Sequence, residues 1–75
     1  METDIKVVNT KNGASLRFEM SDGCRVSAIE RIAEEYWSEV PGTFLIRNGT
    51  DVAVPRESLI CGEIYYVVPS PLRVR

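Results

Sequence analysis

The sequence predicts an α+β domain in which one helix packs across a mixed sheet of four or five strands. Three observations carry this expectation. Val26 to Val40 repeat apolar side chains at helical spacing, the segments on either side alternate or run apolar at strand spacing, and Asn-Gly pairs punctuate them.

In the helical stretch Ile29, Ile32, Ala33, Tyr36, Trp37 and Val40 fall on one face, opposite Glu30, Arg31, Glu34, Glu35 and Ser38. Ser27 followed by Glu30 has the form of a capping box, each side chain accepting an early backbone N–H. Pro41-Gly42 stops the helix, because proline cannot continue it and glycine tolerates the reversal. A helix this short is marginal alone in water, so its stripe must bury against a sheet.

Asp4 to Asn9 reads as the first strand, with Ile5 and Val7 on one face and Lys6 and Val8 on the other. Thr10-Lys11-Asn12-Gly13 is a turn, and Ala14 to Met20 returns as an antiparallel strand with Leu16, Phe18 and Met20 inward. After the helix, Thr43 to Arg47 carries Phe44-Leu45-Ile46 without a break, and Asn48-Gly49 turns the chain. Val52 to Val54 makes a short edge strand ended by Pro55, and Arg56 to Gly62 is a connection or a single helical turn with Leu59 and Ile60 tucked under the core. Glu63 to Val68 is the last strand, apolar on both faces and so central.

With the first and last strands side by side in parallel, this ββαββ order gives a β-grasp. A ferredoxin-like arrangement needs a second helix, and Arg56 to Gly62 is too short for one. The chain of 75 residues allows one domain over 1–75, with 69–75 as a tail. Its 44% hydrophobic and 27% charged residues are those of an ordinary globular protein. A net charge of −2 argues against nucleic acid as partner, and no apolar run approaches the roughly 20 residues of a membrane helix. The polar start Met1-Glu2-Thr3-Asp4 is not a signal peptide.

The chain has no histidine, so no Ser-His or Cys-His nucleophile can be assembled, and no glycine-rich phosphate loop is present. The expectation is a protein that is not an enzyme and needs no cofactor. Cys24 and Cys61 lie apart, too few for a zinc site or disulfide framework, which points to a cytoplasmic, reduced protein. Each cysteine reads as a small buried filler, although Arg25 beside Cys24 could lower a thiol pKa. The run Glu30, Glu34, Glu35 and Glu39 reads as a solvated helix face, and Trp37 and Tyr36 as core and core-edge residues.

The order of elements resembles the ubiquitin-like β-grasp family over nearly the whole chain. The resemblance rests on the opening hairpin with Lys6 and Lys11, the single helix, Leu45-Ile46-Arg47-Asn48-Gly49, and the strand from Ile64 to Val68. The ending Leu72-Arg73-Val74-Arg75 is similar to the tail before the Gly-Gly of ubiquitin, although Gly-Gly is absent and Pro69-Ser70-Pro71 intervenes. With its shorter loop before the last strand, the chain at Asn48-Gly49 and Leu59-Ile60-Cys61-Gly62-Glu63 also resembles the small sulfur carriers of thiamine and molybdopterin synthesis.

One helix covers one face of a sheet, yet two strands are apolar on both faces. If Leu45, Ile64, Tyr66 and Val68 face the helix, then Phe44, Ile46, Tyr65 and Val67 face outward, with Lys6 and Val8 beside them; the alternatives are the reversed strand parity, or a patch covered by a neighbouring domain. Those six residues form the expected binding surface for a protein partner, with self-association as another use of the patch. The resemblance implies the same face. A different class of function, also implied by resemblance, is a sulfur carrier or conjugated modifier acting through a Gly-Gly beyond Arg75.

Overall fold

Strand β1 (Glu2–Asn9) alternates along its length: Thr3, Ile5, Val7 and Asn9 are buried, and Glu2, Asp4, Lys6 and Val8 take the other face. The computed structural model that shows this describes residues 2–70, so of the tail expected over 69–75 the part from 71 onward lies outside the described residues, and Pro69 belongs to the last strand rather than to a tail. The turn after β1 is held locally, with Asn9 Oδ1 accepting the Lys11 N–H, Asn12 Oδ1 accepting the Ala14 N–H, and Gly13 at φ +77°. β2 (Ser15–Ser21) then returns antiparallel, setting Phe18 opposite Ile5 and Leu16 opposite Val7.

Helix α1 (Ser27–Trp37) buries Ile29, Ile32 and Ala33. It is shorter than the apolar spacing suggests. The Ala33 carbonyl accepts the N–H groups of both Ser38 and Glu39, and Ser38 takes a left-handed conformation at φ 54°. Val40 is therefore carried past the helix end and is 61% exposed. Tyr36 stays on the rim at 58%, its ring edge-on to Phe18.

The capping box does not form. Val26 is the N-cap, no side chain caps the helix, and the neighbouring loop does the work instead. The Val26 N–H donates to the Glu57 carbonyl and the Ser27 N–H to the Pro55 carbonyl, at 2.8 and 3.0 Å. Two donors beside the helix start thus find backbone acceptors, and Ser27 is left exposed.

β3 (Phe44–Asn48) and β4 (Asp51–Ala53) form a hairpin around Gly49-Thr50, and β5 (Ile64–Pro69) lies between β1 and β3. The five-stranded sheet has the order β2-β1-β5-β3-β4, with β5 parallel to β1 and antiparallel to β3. This is the predicted mixed sheet with one helix across it. The strand limits differ from the predicted ones by a residue or two.

The facing of β3 and β5 is the reverse of the expectation. Tyr65, Val67 and Ile46 are buried at 1%, 2% and 1% exposure, and Phe44 packs partly buried against the same core. Register explains it. Tyr65 is opposite Val7, Val67 opposite Asn9, and Ile46 opposite Val67, and residues opposite one another share a face. Val7 is core, so its partners are core. The core joins Ile5, Val7, Ile46, Tyr65 and Val67 from the sheet to Ile29 and Ala33 from the helix, its N-cap Val26, and Leu59.

The connection before β5 is also half as predicted. Leu59 is buried, but Ile60 is 55% exposed because its backbone N–H points inward to the Tyr65 hydroxyl at 3.0 Å. That bond satisfies the polar end of the largest fully buried side chain.

Candidate functional site: the open face of the sheet

With α1 on one side, no other described element covers the opposite side of the sheet. Strand alternation places Lys6 and Val8 of β1, Ile64, Tyr66 and Val68 of β5, Leu45 and Arg47 of β3, and Val52 of β4 on it. Register fixes their neighbours. Tyr66 lies between Val8 and Arg47, Val68 beside Leu45, Ile64 beside Lys6, and Val52 beside Arg47. Val8, Leu45, Tyr66 and Val68 are half-buried by one another, while Ile64 and Val52 are 40% and 55% exposed. The result is a contiguous apolar surface with Tyr66 near its middle, Arg47 lying between Tyr66 and Val52, and Lys6, beside Arg17, at its margin.

Arg47 is held down within this surface. Its Nη2 donates to the Thr50 carbonyl at 2.6 Å across the β3–β4 turn, and its covered Nε has no acceptor among the described residues. The side chain's length lies on the sheet while its charge is fixed by the turn.

Of the six residues predicted to bind a partner, Lys6 and Val8 stand on the open face. Ile46, Tyr65 and Val67 do not; they are core, and Phe44 lies on the helix side with them. The residues missed are Leu45, Arg47, Ile64, Tyr66 and Val68, the other parity of the same strands. The signal that finds them is the alternation of β1, propagated through the parallel register to β5 and from there to β3.

Elsewhere, Cys24 is half-buried against the core as expected of a filler, but Cys61 is exposed, its Sγ accepting the Asp4 N–H at 3.5 Å. On the helix, partial burial raises the Glu30 carboxyl above its ordinary range, and the nearby charge of Glu34 adds to this. Among the described residues no group of three or more His, Cys, Asp or Glu is placed to hold a metal ion. Among the same residues no helix is long and apolar enough to cross a membrane.

Comparison with protein-family models and with curated proteins gives no match. Solved structures do match. Ubiquitin from Caldiarchaeum subterraneum superposes with a TM-score of 0.79, covering 96% of this chain and 98% of that one at 15% identity. The fold is the ubiquitin-like β-grasp. A designed protein based on ubiquitin gives a TM-score of 0.76 at 14% identity, covering 96% of this chain and 93% of that one. The ubiquitin-like domain of yeast Ddi1 gives 0.73 at 10%, covering 97% and 94%. At such identities the β-grasp likeness is one of backbone course, and residue roles must come from this chain's own surfaces.

Proposed function

We propose that this chain is a ubiquitin-like protein-interaction domain that presents the open sheet face to a protein partner. The observation that carries the reading is the contiguous set Val8, Leu45, Ile64, Tyr66 and Val68 on a face no other described element covers. Tyr66 supplies a rigid amphipathic anchor of the kind that dominates binding energy, and the charges of Lys6 at the margin and Arg47 within the surface select against like-charged partners. The role is binding rather than catalysis. Its two free thiols fit a reducing, cytoplasmic setting.

The test places a photo-crosslinking side chain at position 66 and, separately, at position 35 on the exposed helix face, and identifies captured proteins in a cell extract. Capture from position 66 should exceed capture from position 35 and should fall about tenfold or more when Val68→Glu is added. The melting temperature of the Val68→Glu chain should stay within a few degrees. Equal capture from both positions, or capture indifferent to Val68→Glu, would sink the reading.

A further inference from the structure

β2 is an edge strand, seven residues long, with no proline or glycine to blunt it. The other edge, β4, is three residues long and is closely followed by Pro55. The phase of the β2 hydrogen bonds is fixed by the Asn9 N–H donating to the Ala14 carbonyl at 2.8 Å. In an antiparallel ladder that phase sends the backbone groups of Leu16, Phe18 and Met20 toward β1. It leaves those of Ser15, Arg17 and Glu19 directed at the open edge.

The side chains of these edge-directed residues are arranged against the monomer's interest. Arg17 is opposite Lys6, and Glu19 is opposite Asp4, two like-charge pairs side by side on the open face. The attractive diagonals, Lys6 to Glu19 and Asp4 to Arg17, are longer and weaker.

We propose that β2 is a homodimerisation edge: two copies add β2 to β2 antiparallel about a two-fold axis at Phe18, fusing their sheets into one. The strand Ser15-Leu16-Arg17-Phe18-Glu19-Met20-Ser21 has the same polar and apolar pattern from either end, with opposite charges at the mirrored positions 17 and 19. A two-fold axis through Phe18 therefore sets Arg17 against the partner's Glu19, Leu16 against the partner's Met20, and Ser15 against the partner's Ser21, as an isologous interface requires.

The backbone agrees with this register. Arg17 and the partner's Glu19 both have edge-directed groups and exchange their hydrogen bonds. Phe18 meets the partner's Phe18 at a non-hydrogen-bonded position, where side chains approach most closely. On the helix side, Leu16, Phe18 and Met20 are each only half-buried, and the partner's apolar residues cover what is left. On the open side the row becomes Lys6, Arg17, the partner's Glu19 and the partner's Asp4, so each like-charged pair gains an opposite neighbour.

The charges also fix the register. Sliding by two residues in either direction sets Arg17 against the partner's Arg17, or Glu19 against the partner's Glu19. Charges that would ordinarily repel a neighbouring strand here admit one pairing. This inference does not depend on what binds the open face, which the dimer would present twice.

The test is sedimentation of the full chain from micromolar to millimolar concentration, with charge-swap variants at two exposed positions. The native chain should dimerise. Arg17→Glu alone and Glu19→Arg alone should each weaken self-association about tenfold or more. An equimolar mixture of the two variants should form heterodimers, because the acid introduced at position 17 then faces the base introduced at position 19. The double variant Arg17→Glu/Glu19→Arg should dimerise again.

A second measurement needs no variant. Amide exchange of the native chain at Arg17 and Glu19 should slow as concentration rises, while that at Phe18, already bonded to β1, should change little. A chain monomeric at millimolar concentration, single swaps that dimerise like the native chain, or a mixture that fails to associate would each overturn the proposal.

Discussion

Asn9 shows how a single polar side chain can hold two segments together. It is 1% exposed, yet its Oδ1 accepts the Lys11 N–H at 2.9 Å and its Nδ2 donates to Glu39 Oε2 at 3.3 Å. Glu39 Oε1 also meets Lys11 Nζ at 3.4 Å, so one carboxylate ties the hairpin turn to the segment after the helix. The two links differ in worth. Lys11 is 65% exposed and water screens its charge, whereas the Asn9 bonds are shielded. Asn9→Ala should therefore lower unfolding free energy by about 1–3 kcal/mol, and Lys11→Ala by less than about 1 kcal/mol, in urea titrations. Equal losses would mean that the ion pair, not the amide, holds the turn. Glu30 gives a pH-dependent test. Its folded pKa is raised by burial and by Glu34, so ionisation opposes folding. That penalty is present at neutral pH and disappears as pH falls through the folded pKa into the ordinary carboxylate range. Glu30→Gln should accordingly be more favourable relative to the native chain at neutral pH than at about pH 3. A difference in melting temperature that is the same at both pH values would remove the effect.

Among the elements, those with a one-sided pattern were legible in the sequence and those with a two-sided pattern were not. β1 and β2 alternate, and Ile5, Val7, Leu16 and Phe18 point where the alternation says. The stripe of Ile29, Ile32 and Ala33 fixes the buried face of α1 for the same reason. The ends of α1 escaped prediction because distant or unusual backbone sets them. Carbonyls of Pro55 and Glu57 replace the Ser27 cap, and a left-handed Ser38 ends the helix before Pro41 is reached. Phe44-Leu45-Ile46 and Ile64 to Val68 present apolar side chains at both parities, so no local rule chooses between their faces. Only pairing with β1 decides, and pairing is a property of the folded sheet. Neighbouring substitutions on β3 put the decision to the test. Ile46→Glu buries a carboxylate with no partner and should destabilise the fold by more than about 4 kcal/mol. Leu45→Glu, one residue away on the open face, should leave the melting temperature within a few degrees. Similar thermal unfolding of the two variants would contradict the observed facing.

At the scale of the whole molecule, the chain's first and last strands lie side by side in the middle of the sheet. The parallel β1–β5 pairing joins residues as far apart as Val7 and Tyr65, so it cannot form until the helix and the β3–β4 hairpin have been brought round. Once formed, it is covered on both sides, by β2 beyond β1 and by β3 beyond β5. The Lys6 N–H donates to the Glu63 carbonyl and the Thr10 N–H to the Val67 carbonyl, so hydrogen bonds mark both ends of the seam. Opening it requires loss of the core formed by Val7, Tyr65 and Val67, which is loss of the fold. β4 is in the opposite situation. It has three residues, one neighbour, and only Ala53 buried, so it can detach without disturbing the core. Native-state hydrogen exchange should therefore divide the sheet. Amides of Val7, Val8, Tyr65 and Val67 should exchange only through global unfolding, responding to denaturant with the full slope of the unfolding transition. Amides of β4 should exchange orders of magnitude faster, with little denaturant dependence, because their opening exposes almost no apolar surface. If β5 exchanged as readily as β4, the central seam would be a docked strand rather than the last lock of the fold. The open face it supports would then move independently of the core.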